Sequence, residues 1–290
     1  MGAICCAEGR KQEIDTDGGL QPDRLRGRLS SGAGITNNDI FGDQLIDIDE
    51  NQDELMGEFK NKWETNVKIT PKHIIELLET IKMQDSQYGK YDMKLNEDKL
   101  KIAIRNKGSE LAKDIPVFWT TFIFDKGATI PAILKAIYNP EERTKWDKDI
   151  TEAEILRFEA ANTVKLWHQK SRSSNKYISI RDYLEKKVKF TNSNKRYVYF
   201  SSLPDQIQEA DDASPRAYTI FGVHSFERLE DGRIQMEAIS QIDYNVGVGA
   251  IGKVALNTIT SAQNKLLKTW YTTLEDYVRE MINPGRNTPQ

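Results

Sequence analysis

Between residues 150 and 244, strand-like stretches follow one another with no helical pattern between them. That order limits the possible folds more than any other feature of the chain. The stretches are residues 150–158, 163–171, 177–190, 195–202, 217–229 and 233–244. Each is rich in β-branched and aromatic side chains or alternates apolar with polar ones, as half-buried strands do. The last is the plainest. Ile234, Met236, Ala238, Ser240 and Ile242 fall on one face, and Gln235, Glu237, Gln241 and Asp243 on the other. Asp231-Gly232 just before it is a strong hairpin signal. Strands that run consecutively through tight turns pair antiparallel, so the expected class is α+β rather than α/β.

Other elements flank this run. Thr70-Pro71 makes a cap and first turn for a helix over 73–83, with Ile74, Leu77, Leu78 and Ile81 on one face. The period then changes to two in Tyr91-Met93-Leu95 and Leu100-Ile102-Ile104, and residues 117–124 read as a third strand. Helical spacing returns over 129–138. Asn139 caps a second short helix, with Pro140 first and Glu141 and Glu142 favoured by the positive end of its dipole. After the last strand, residues 247–282 form one long amphipathic helix, apolar at Leu267, Trp270, Tyr271, Leu274, Tyr277, Val278 and Met281. Asn283-Pro284-Gly285 stops it. The expected organisation is a tail over 1–53, one domain over 54–283 and a short tail over 284–290.

This order, with particular residues at its joints, resembles a START domain, the lipid-transfer module of the helix-grip superfamily. The residues that carry the resemblance are Asn139-Pro140-Glu141-Glu142-Arg143-Thr144-Lys145-Trp146-Asp147, the stretch Ile180-Arg181-Asp182-Tyr183, and Gln241-Ile242-Asp243 ahead of the long helix. The resemblance implies a curved antiparallel β-sheet wrapped around the long C-terminal α-helix, with an internal cavity for one lipid. Trp146 is expected to anchor the helix-to-strand corner, with Arg143, Asp147, Arg181 and Asp182 pairing across it. One departure is the absence of a proline after Asp243.

A sheet with one apolar face must cover it, and a single helix leaves room beneath it for large side chains or an apolar ligand. The candidate cavity residues are Leu166, His168, Lys187, Met236, Ala238, Ser240, Leu256 and Ile259. His168 shares a strand face with Val164 and Leu166, and reads either as a cavity group or as a satisfied core histidine. The resemblance places a cavity acid and arginine of some sterol-binding members at His168 and Lys187, so sterol, phospholipid and sphingolipid all stay open. The glycine-rich start of the helix is the expected gate: Val246, Gly247, Val248, Gly249, Ile251 and Gly252.

The first residues, Met1-Gly2-Ala3-Ile4-Cys5-Cys6, resemble a dual-acylation signal, with myristate on Gly2 and palmitate on Cys5 or Cys6. Cys6 stands where serine or threonine is usual. One myristoyl chain binds a bilayer only marginally and a second makes the anchor stable, so the expected location is a cytoplasmic membrane face. The rest of the tail has the composition of a disordered segment. Asp47, Asp49, Asn51, Asp53 and Glu58 match calcium-loop positions, but Gln52 occupies the place of the required glycine, so a solvated acidic linker is expected there.

A net charge of −3 and no basic stripe exclude a dedicated nucleic-acid binder. His73, His168 and His224 are scattered, and no nucleophile elbow, phosphate loop or zinc motif occurs. No catalytic residue, metal or cofactor is expected. The expected partners are a lipid and a membrane surface, with the chain a monomer. The competing reading is a membrane-anchored scaffold whose cavity is filled by its own side chains and whose work is done by a protein partner.

Overall fold

A single antiparallel sheet organises the chain. Its strands are β1 (Asp92–Asn96), β2 (Leu100–Arg105), β3 (Val117–Phe124), β4 (Ile150–Glu159), β5 (Val164–Ser171), β6 (Arg181–Asn192), β7 (Lys195–Ser202), β8 (Tyr218–Arg228) and β9 (Ile234–Asp243). The nine strands lie in the order β1-β2-β3-β9-β8-β7-β6-β5-β4. Sequence neighbours therefore pair throughout, except that β3 pairs with β9 and brings the two halves of the sheet together. The computed structural model describes residues 70–83, 87–159, 164–172, 179–203, 205–210, 213–246 and 249–285. Within these, side chains at 157–159, 164, 206, 249–261 and 263 are not described. All of this lies in one compact unit, Asn38–Gln290.

Among the described residues, four α-helices complete the fold: α1 (Pro71–Lys82), α2 (Ile130–Tyr138), α3 (Pro140–Trp146) and α4 (Gly249–Ile282). Each short helix begins where a polar side chain takes up an orphan amide. Thr70 accepts from the His73 amide at 3.1 Å, Thr129 from Ala132 at 3.3 Å and Asn139 from Glu142 at 3.1 Å. Proline in the first turn of all three supplies a preset φ. Asn139 also closes α2, donating its amide to the Lys135 carbonyl at 3.1 Å, so one buried residue turns the chain between the two helices.

The curved sheet grips α4, which at 34 residues and about 1.5 Å per residue is roughly 50 Å long. Tyr271, Leu274 and Val278 of α4 pack with Phe122, Phe124, Ile133, Ile137, Phe226 and Met236 in the main core. Each such buried side chain contributes about 1.5–3 kcal/mol.

The expectation of one apolar sheet face is incomplete. On the other face, Ile74, Leu78 and Ile81 of α1 pack on Val188, Phe190, Tyr199, Phe221, Val223 and Ile239, a second core. Lys82 fastens the end of α1 there through Glu237 at 3.1 Å, and the same carboxylate accepts from Trp119 Nε1 at 2.8 Å. The sheet is thus buried on both sides, with α2, α3 and α4 on one and α1 on the other.

Candidate ligand cavity

Between α4 and the sheet lies a cavity of ≈ 310 Å³. Alternation along the strands decides what reaches it. Phe118 and Thr120 come from β3, Trp167, Gln169 and Ser171 from β5, Tyr183, Glu185 and Lys187 from β6, Phe200 from β7, His224 from β8, and Ala238, Ser240 and Ile242 from β9. Ile137 and Tyr138 of α2, Arg143 of α3, and Leu266, Leu267, Trp270 and Tyr271 of α4 close it. The void is walled mainly by rings and aliphatic chains, with two ion pairs set into its surface.

The first pair sits at the end of α3. Arg143 reaches the Asp147 carboxylate at 2.6 Å, and its guanidinium lies 4.7 Å from the Trp146 ring centroid and 5.0 Å from that of Trp270. Trp146 is fixed by donating Nε1–H to the Ala136 carbonyl at 2.9 Å, and Trp270 Nε1–H reaches Asp147 at 2.9 Å. Burial pulls the Arg143 pKa down and Asp147 opposes that fall. Arginine stays charged in either case. Its Nε is buried with no hydrogen-bond partner among the described residues. Asp149 beside this pair is pushed up by burial and by the charge of Asp147.

The second pair sits on β6. Lys187 Nζ lies 2.6 Å from Glu185, whose other oxygen accepts from the Thr219 hydroxyl. The ammonium is 4.8 Å from the Trp167 ring centroid, 5.1 Å from Phe200 and 5.8 Å from Tyr138. Burial lowers the Lys187 pKa, and Glu185 works against that. Beside it, burial and the charges of Lys187 and Arg143 push His224 down to about 3. His224 is therefore a neutral imidazole, and its Nδ1 is hydrogen-bonded to the Tyr138 hydroxyl.

Among the expected cavity residues, Lys187, Ala238 and Ser240 line the void, whereas Met236 lies further along β9 in the closed core. Leu166 and His168 differ. β5 pairs with β6 so that Lys165 faces Lys187 and Trp167 faces Glu185. Trp167 then points inward, and Leu166 and His168 fall on the opposite face. There Leu166 packs with Leu184 and Leu203, and His168 is held by Asp182 at 2.7 Å and Glu154 at 3.0 Å. Gly247 and Val248 lie outside the described residues. The side chains of Gly249, Ile251, Gly252, Leu256 and Ile259 do too, as do Gly2, Cys5, Cys6 and the acidic stretch over 47–58.

The charges of the two joints do not pair with one another. Arg143 binds Asp147 four residues on, while Asp182 binds His168 and, at 2.6 Å, Arg216. Arg181 Nε donates to the Tyr244 carbonyl at 2.7 Å, where the chain leaves β9 for α4. Sequence reasoning missed Tyr138, Trp167, Glu185, Phe200, His224, Trp270 and Tyr271 as cavity wall. Glu185 carried a usable signal, since it stands two residues before Lys187 on one strand and shares its face.

No family model matches the sequence, and no curated protein matches it. Solved structures do match in fold. Human StAR-related lipid transfer protein 5 superposes with a TM-score of 0.61 at 13% identity, over 72% of this chain and 95% of that one. Human STARD10 gives 0.59 at 10% identity, over 75% and 82%. A STAR-related lipid transfer protein from Xanthomonas axonopodis gives 0.51 at 14% identity, over 65% and 98%. The chain therefore has an α+β helix-grip fold, a curved nine-stranded antiparallel sheet around its C-terminal helix. It is the fold of the StAR-related lipid transfer domains.

Proposed function

We propose that this chain binds one lipid in the cavity beneath α4, without catalysis, and carries or senses it at a cytoplasmic membrane face. The observation behind this reading is the void itself. A mainly apolar space of ≈ 310 Å³ with a few convergent polar groups is at the small end of ligand pockets, about 300–1,000 Å³. The buried Arg143 Nε, without a hydrogen-bond partner among the described residues, is a donor for a ligand oxygen. The likeness of fold to proteins named for lipid transfer supports the same reading.

In this account the lipid passes a gate at Val246, Gly247, Val248, Gly249, Ile251 and Gly252, because glycine weakens a helix by about 1 kcal/mol each relative to alanine. Leu256 and Ile259, with the inward strand faces, shield its chains. Acylation at Gly2 with Cys5 or Cys6 tethers the monomer.

Full-length protein incubated with vesicles carrying labelled sterol, phosphatidylcholine or ceramide, then re-isolated, tests this. Retention of about one labelled lipid per chain is expected from at least one vesicle type. Retention from none of them would leave the scaffold reading in its place.

A further inference from the structure

The cavity holds two cations with different chemistry. Arg143 keeps its proton and its guanidinium is no nucleophile, whereas a buried lysine amine can lose its proton and add to a carbonyl. Lys187 is the one amine among the described residues lining the void. Its Nζ is nearly enclosed, with the side chain 11% exposed, and it sits among the rings of Trp167, Phe200 and Tyr138. A carboxylate stands at 2.6 Å, itself 4% exposed and held from its far side by Thr219. An amine, an adjacent proton acceptor and an apolar chamber opening onto both are the components of an imine site.

We propose that Lys187 is a covalent attachment site for an apolar aldehyde held in the cavity, through a reversible imine whose counter-ion is Glu185. This rests on the reading of the void as a lipid cavity. The step needs no further reagent. The Lys187 ammonium passes a proton to Glu185, and the freed amine forms a C–N bond to the aldehyde carbon while the carbonyl π pair moves to oxygen. A proton shifts from nitrogen to that oxygen, giving the carbinolamine. Glu185 then returns its proton to the hydroxyl, which leaves as water as the nitrogen lone pair closes the C=N bond. One aldehyde and one ammonium become one iminium and one water, and the iminium lies against the Glu185 carboxylate where the ammonium had been. Burial favours this exchange because it disfavours the strongly hydrated ammonium more than a delocalised, alkylated iminium.

The experiment treats full-length protein with hexadecanal, reduces it with cyanoborohydride and locates the alkylated lysine by peptide mass. All-trans-retinal provides a second probe, because a protonated imine of it absorbs well to the red of the free aldehyde. The expected result is one alkyl group per chain on Lys187 and a red-shifted band, both lost in Lys187→Arg. That variant keeps a cation beside Glu185, and circular dichroism should find it folded, while native mass spectrometry of unreduced wild type reports hexadecanal held with or without the covalent bond. In Glu185→Gln the iminium loses the carboxylate that stabilises its proton, so its pKa should fall and the retinal band should move to the shorter wavelength of the unprotonated imine, returning to the red on acidification. Hexadecanal bound without alkylation of Lys187 overturns the imine and leaves the cavity reading standing. Labelling spread over exposed lysines and unchanged in Lys187→Arg also overturns it. No bound hexadecanal in either form overturns both.

Discussion

Trp270 Nε1 donates a 2.9 Å hydrogen bond to the Asp147 carboxylate, so the gripped helix α4 is fastened to the end of α3 at the cavity wall. The same carboxylate neutralises Arg143 at 2.6 Å, and the guanidinium is packed against the rings of both Trp146 and Trp270. Removing one partner of such a buried pair leaves the other charged and unpaired. Asp147→Ala should therefore cost about 3 kcal/mol of stability. Trp270→Phe keeps a ring over the guanidinium and loses one hydrogen bond, about 1 kcal/mol. Urea denaturation separates the two, and equal losses would mean that the ion pair contributes nothing.

Gly222 on β8 sets the position of Phe200. A Cβ built at Gly222 would stand 2.2 Å from Phe200 Cε2, so the ring lies flat across the glycine. That ring covers Lys187 and packs edge-on against His224, with centroids 4.9 Å apart. Gly222→Ala must push the ring toward the cavity, at a cost of about 1–3 kcal/mol. Reduced lipid capacity is expected, with recovery in Gly222→Ala combined with Phe200→Ala. Unchanged capacity in the single variant would show that the ring has somewhere else to go.

Two histidines should respond to pH in opposite senses. The hydrogen bond to Asp182 raises the His168 pKa against burial, with Glu154 adding to the rise. Its stabilising contribution is complete below the ordinary value of about 6.5 and is lost as pH rises through the raised folded value. His224 is held down to about 3 by burial and by the charges of Lys187 and Arg143. The unfolded chain then binds a proton that the folded one refuses, so stability falls as pH drops from about 6.5 toward 3. Imidazole signals followed by NMR should show His168 titrating above its ordinary value and His224 not titrating above about pH 4. A midpoint for His224 near 6.5 would contradict the buried, neutral assignment.

The proposed anchor is tested by Gly2→Ala, which removes the myristate acceptor. Membrane fractionation should move the protein to the soluble fraction, since a palmitate without its companion chain holds weakly. Fractionation that is unchanged by Gly2→Ala and also by Cys5→Ser with Cys6→Ser would refute acyl tethering.

Much of the fold was legible because its signals are local. Thr70-Pro71 and Asn139-Pro140 announce their helices through caps that need no tertiary partner, and the alternation from Ile234 to Ile242 places β9 and its inward face. The face of β5 was not legible. Leu166 and Trp167 are both buried, at 2% and 1% exposure, so alternation alone offers no choice of side. The register with β6 decides it, by pairing Trp167 with Glu185. Asp182 was misassigned for a related reason. Its partners, His168 and Arg216, are brought to it by strand pairing and by the loop before β8, which no spacing in the sequence reports.

The most direct test of the central claim is native mass spectrometry of full-length protein after incubation with mixed-lipid vesicles, comparing wild type with Ala238→Phe. Ala238 faces the void, so the added ring occupies space that a ligand would need. Wild type should carry the mass of one lipid and the folded variant should carry none. A bare wild-type chain, or an adduct that persists in Ala238→Phe, would contradict a lipid held beneath α4.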